Sequence, residues 1–219
     1  MVPDDRTRGV IRLGGTGSPS GDRMEAPGAP PGAQTGRGAL QAHLNWPPDA
    51  GVDLDLGCLA EYADGSVTAV QPLGETFGSL TSWPYVVLDQ DDRTGEEPDG
   101  QTLRVNLAHL REFRRLLFYV TIYEGAPDFR RLRAALTVSA PSSGSRTIAL
   151  DDSPGGATAC AVAMARVEAG ELSVEREMRW FTPSPMVSDQ EQLDRAYEFG
   201  IEWVPATKRP RPGREAPRG

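Results

Sequence analysis

Val52-Asp-Leu-Asp-Leu-Gly-Cys-Leu-Ala-Glu-Tyr62, followed by Ala63-Asp-Gly-Ser66 and Val67-Thr-Ala-Val-Gln71, is the stretch whose reading decides the fold. Successive side chains of an extended strand point to opposite faces, so Leu54 and Leu56 enter a core while Asp53 and Asp55 share the other side. Asp64-Gly65 accepts positive φ, which a tight hairpin requires. These residues therefore predict two antiparallel strands, the first carrying an apolar face and an acidic face.

Outward from this hairpin the same rhythm of short apolar runs and turn residues continues. It predicts strands over Tyr85 to Asp89, Gln101 to Leu107, Leu116 to Tyr123, Ala134 to Ser139, Arg146 to Leu150, Thr158 to Glu168 and Glu171 to Phe181. Glu168-Ala-Gly-Glu171 reads as another hairpin, with a slightly longer loop. Helical signals are few: single turns over Leu107 to Arg115 and over Pro127 to Arg133, and a C-terminal helix. Ser188-Asp-Gln-Glu191 forms a capping box for that helix, with Leu193, Tyr197 and Ile201 on one face. Many strands without βαβ alternation predict an all-β fold with minor helix, a two-sheet antiparallel β-sandwich closed by the C-terminal helix.

The 219 residues suffice for one domain with tails. Residues 1–40, rich in Gly, Pro and Ser, lack the apolar side chains that offset ordering entropy, and are expected to be disordered. Residues 41–204 form the sandwich, and 205–219 a disordered basic tail. Within 41–204, thirteen basic and twenty-six acidic side chains leave a net charge of −13, which repels nucleic acid and attracts cations. No apolar run reaches the roughly 20 residues of a membrane span, and no signal-peptide pattern opens the chain, so a soluble, cytoplasmic protein is expected. Cys58 and Cys160 sit in apolar runs and read as core thiols.

Oxygen ligands concentrate in two segments, Asp53-Leu-Asp55 and Asp89-Gln-Asp-Asp-Arg-Thr-Gly95 with its continuation to Gly100. Calcium takes six to eight oxygens in flexible geometry, from carboxylates and main-chain carbonyls. The residues alone leave open a solvated acidic face and an ordinary turn. The loop does not follow the EF-hand pattern.

Asp53-Leu-Asp-Leu-Gly-Cys-Leu59, Asp89-Gln-Asp-Asp-Arg-Thr-Gly95, Leu103-Arg-Val-Asn-Leu107 and Phe118-Tyr-Val-Thr-Ile-Tyr-Glu-Gly125 resemble, in order and spacing, the motifs of the TerD-domain tellurium-resistance and stress-response family. The first two look most like its TerA branch. Thr158-Ala-Cys-Ala-Val-Ala-Met164, Glu177-Met-Arg-Trp-Phe181 and Asp194-Arg-Ala-Tyr-Glu-Phe-Gly200 extend the likeness over roughly residues 44–204.

The resemblance implies a bacterial, non-catalytic, calcium-binding β-sandwich that acts as an interaction module in stress response and tellurium resistance. Asp53 and Asp55 match the family's acidic strand, and Asp91, Asp92, Thr94 and Gly95 match its loop; Asp89 and Glu124 join them as candidate ligands by position. Where the family strand carries a third acid this chain has Gly57, which predicts weaker calcium binding or fewer ions. Arg93 would balance charge in the loop. Implied partners are other TerD-domain or stress-complex proteins, with the membrane surface as one setting, and no nucleic acid. The alternatives are a small-molecule or carbohydrate-binding sandwich using Trp83, Tyr85, Tyr119, Tyr123, Trp180 and Trp203, and a metal-dependent enzyme. For an enzyme, His43 and His109 have no nucleophile in motif form beside them.

Overall fold

The computed structural model describes residues 11–13, 38–48, 51–89, 100–141 and 144–208. Its strands are β1 Ile11–Leu13, β2 Ala39–Asn45, β3 Asp53–Tyr62, β4 Val67–Val70, β5 Gly78–Ser79, β6 Val86–Leu88, β7 Gln101–Asn106, β8 Phe113–Glu124, β9 Ala135–Ala140, β10 Gly144–Ala149, β11 Ala159–Glu168 and β12 Glu171–Phe181. Among the described residues one α-helix, α1, runs over Asp189–Tyr197. Two six-stranded sheets face each other, in the orders β1-β12-β11-β8-β3-β4 and β10-β9-β2-β7-β6-β5. Every strand pairing in them is antiparallel.

The β3–β4 hairpin closes as its sequence requires. Gly65 takes φ +85°, and the Asp64 carboxylate accepts hydrogen bonds from the Ser66 amide (2.9 Å) and hydroxyl (2.7 Å). The β11–β12 turn is tighter than expected: Glu168 pairs directly with Glu171, leaving only Ala169 and Gly170, both at positive φ.

Leu54, Leu56 and Cys58 of β3 meet Leu40 and Leu44 of β2, Leu103 and Val105 of β7, and Leu136 and Val138 of β9 in the core between the sheets. A second apolar cluster covers the outer face of the first sheet. There Leu59, Leu117, Tyr119, Ala161 and Met164 lie under Leu193 and Phe199. With both faces covered, all ten residues of β3 are buried. Both cysteines are buried and free, and burial pushes both thiols up, which suits core packing.

Several elements depart from the sequence reading. β2 was not anticipated, although it lies in the middle of the second sheet between β9 and β7. Within the segment expected to lack structure, Ile11–Leu13 pairs with Leu172–Val174 at the edge of the first sheet, because backbone pairing there needs little from the side chains. A short 3-10 helix covers Leu107–Glu112, while Pro127 to Arg133 forms only turns.

The N-cap half of the capping box forms, with the Ser188 hydroxyl accepting from the Glu191 amide at 3.2 Å, while the Glu191 carboxylate accepts from Arg195 at 2.6 Å. However, α1 stops at Tyr197, because Glu198 turns left-handed at φ 56°. Ile201 therefore leaves the helical face assigned to it and reaches the outer cluster from the following turn. No helix among the described residues is long and apolar enough to cross a membrane.

Candidate functional site

Asp53 and Asp55 point from β3 to the outer face of the first sheet, opposite Leu54 and Leu56, as their spacing predicts. Their place is an end of the sheet where β3 has lost one neighbour: β4 pairs only with Cys58 to Glu61. Along the open stretch the side chain of Gln101 stands in for a strand. It donates to the Leu54 carbonyl at 2.9 Å and accepts from the Leu56 amide at 2.7 Å, fully buried between the sheets. Gln101 begins β7 directly after the acidic loop, so one residue ties the loop's end to the backbone that carries the acid pair.

The acid pair is not a solvated face. Asp53 is 1% and Asp55 2% exposed. What covers them is Lys208, whose ammonium donates to Asp53 Oδ1 at 2.7 Å and forms an ion pair with Asp55 Oδ1. It also lies 4.6 Å from the centre of the Tyr123 ring, a cation–π contact. Burial alone would lower the pKa of this lysine, but Asp55 and Asp53 outweigh it and hold the value above that of an ordinary lysine. Lys208 was assigned to the solvated basic tail by its composition; the structure buries it because two carboxylates neutralise it there.

The other expected ligands divide. Glu124 faces Asp53 across the β3–β8 ladder and is exposed. Asp89 is directed elsewhere, its carboxylate bonded to Arg104 of β7 at 2.5 Å. Asp91, Asp92, Thr94 and Gly95, with Arg93, lie outside the described residues. Among the described residues no three acidic, histidine or cysteine side chains converge as a metal group would need.

Gly57, where the family strand carries a third acid, has a structural cause. The Tyr119 ring lies over it so closely that a β carbon would stand 2.1 Å from Cζ. The phenol is held in place by donating to Gln71 Oε1 at 2.6 Å.

Two buried carboxylates on one strand face, already seating a cation, are a hard-oxygen donor pair that suits calcium or a similar ion. Sequence reasoning missed three contributors: Lys208, Gln101 and the Tyr119 lid on Gly57. Lys208 alone had a signal, being the single lysine beside twenty-two arginines.

The remaining candidates have structural partners. His43 bonds to the Thr102 hydroxyl at 3.0 Å. His109 stacks on Tyr85 at 3.7 Å and bonds to Glu112. The aromatic residues also separate: Trp83 packs on Tyr62, Trp180 on Phe129, and Trp203 bonds to Asp194.

No family model matches the chain. It is 34% identical over 185 residues to the tellurium resistance protein TerA of an Alcaligenes species, an alignment covering 78% of this chain and 53% of that protein. The chain thus spans about half the length of that curated relative. A crystal structure of a homologue of the telluride resistance protein TerD from Streptomyces coelicolor A3(2) superposes with a TM-score of 0.54 at 22% identity, covering 69% of this chain and 94% of the other. A crystallised protein of unknown function gives 0.52 at 16% identity with the same coverages. With the sandwich of the TerD homologue and a third of its aligned residues shared with TerA, the chain is similar over most of its length to the TerD-domain tellurium-resistance proteins.

Proposed function

We propose that this chain is a non-catalytic, calcium-binding stress-response module that serves tellurium resistance in the cytoplasm by engaging partner proteins. The observation that carries the reading is the pair Asp53 and Asp55, buried on one strand face and already turned toward a cation. Asp53 and Asp55 would hold the ion from the sheet, and Asp91, Asp92, Thr94 and Gly95 would complete its shell from the loop. Calcium bound there would fasten the acidic loop to the sandwich and fix the surface that loop offers. The partners in this reading are other TerD-domain or stress-complex proteins, which rests on the resemblance to that family alone. The engagement of His43 and His109 in structural contacts favours a binding role over catalysis.

Isothermal titration tests this. Calcium should bind the wild-type chain, and Asp53→Asn with Asp55→Asn should abolish the heat, as should Asp91→Ala with Asp92→Ala. Binding that survives both double substitutions places the ion elsewhere and overturns the site.

A further inference from the structure

Lys208 is the only lysine in a chain that otherwise carries its fixed positive charge on twenty-two arginines. Its side chain is 1% exposed. A compact ammonium fits between two carboxylates of neighbouring pleats, where a planar guanidinium fork would be matched to only one of them.

The segment that delivers it is fastened at its root. Asp194 of α1 accepts from the amides of Gly200 (2.8 Å) and Ile201 (3.1 Å) and from the indole of Trp203 (2.8 Å). Ile201 and Trp203 then pack on the outer apolar cluster. Residues 200–208 therefore form a strap held by buried carboxylates at both ends, Asp194 at one and Asp53 with Asp55 at the other.

Resting on the calcium reading above, we propose that Lys208 is a tethered internal cation that occupies the acid pair without metal and must leave before a divalent cation takes Asp53 and Asp55 together. Two carboxylates neutralise one ammonium with a single charge left over. A divalent ion added beside a buried ammonium would set like charges a few ångströms apart, where water screens them little. The two occupants are therefore exclusive, and each weakens the other by the same factor. Because the lysine is on the same chain, its effective concentration at the pair is in the millimolar range or above. The strap thus sets a threshold for calcium, and binding frees the strap from the acid pair.

A single lysine makes the test specific. The full chain is pulsed with an acetylating reagent in chelator or in calcium, with free lysine as internal standard, and acetylation of Lys208 is read by mass spectrometry. In chelator Lys208 should react at least tenfold more slowly than the standard, and calcium should accelerate it at least tenfold. By calorimetry, Lys208→Met should bind calcium at least tenfold more tightly than wild type. The labelling arm uses wild-type protein, so it stands even where that variant folds poorly.

Rapid acetylation in chelator overturns the latch. Calcium binding that needs Asp53 and Asp55 yet leaves the acetylation rate unchanged also overturns it, while the calcium reading survives. Calcium heat in Lys208→Met but none in wild type supports a latch closed against metal. No heat in either removes the calcium reading, and the latch falls with it.

Discussion

Gly57 and Tyr119 show how one residue's surroundings set the chemistry of its neighbours. A side chain at 57 would follow Asp53 and Asp55 along the same face, but the phenol ring fills that space. The missing acid is therefore a packing decision made on β8, opposite Gly57 in register. Gly57→Ala should destabilise the fold by about 1–3 kcal/mol, the usual range for overpacking a core, and lower the thermal midpoint by several degrees. Tyr119 would have to move and give up its bond to Gln71. In a Tyr119→Leu background the same alanine should cost measurably less, since contacting residues are not additive. Equal costs in both backgrounds, measured by thermal unfolding, would remove Tyr119 as the cause.

At the scale of elements, β3 depends on a side chain for part of its pairing. β4 reaches only Cys58 to Glu61, and Gln101 completes the edge at Leu54 and Leu56. Gln101→Met keeps the length and removes both bonds, leaving a buried carbonyl and a buried amide unsatisfied. A loss of about 2–6 kcal/mol is expected, at roughly 1–3 kcal/mol for each group. The urea midpoint should fall, and the Leu56 amide should exchange faster than that of Val120 on the neighbouring strand; unchanged exchange at Leu56 would show that its partner is not Gln101. Most strands were legible in the sequence because alternation is local: Asp53 to Tyr62 and Gln101 to Asn106 stand almost where their apolar rhythm puts them. β2 was not legible, since Leu40, Ala42 and Leu44 alternate inward over only seven residues beside the Gly- and Pro-rich stretch. The acid pair was legible for the same local reason. Its cover was not, because Lys208 lies 155 residues from Asp53 and no periodicity reports such a contact.

Across the whole molecule the two sheets differ in how they are buried, and this should divide their stability. The first sheet is packed on both faces, against the core and against α1 with its strap. Glu61 anchors that outer layer: it bonds to Arg115 at 2.5 Å, and Arg115 in turn donates to the carbonyls of Tyr197 and Glu198 and lies 4.3 Å over the Phe199 ring. The second sheet alternates buried and partly exposed positions along β2, β7 and β9, and its edge strand β10 is mostly exposed. Amides open to exchange through fluctuations whose cost rises with the apolar contacts that must be broken. The slowest amides in native-state hydrogen exchange should therefore belong to β8, β11 and the Cys58–Glu61 part of β3, which are flanked by strands and covered on both faces. Those of β10 should exchange first among the strands of the second sheet. If β2 and β9 were slowest instead, the outer cluster would contribute little to global stability. In that case the strap carrying Lys208 would rest on the sheet without holding it.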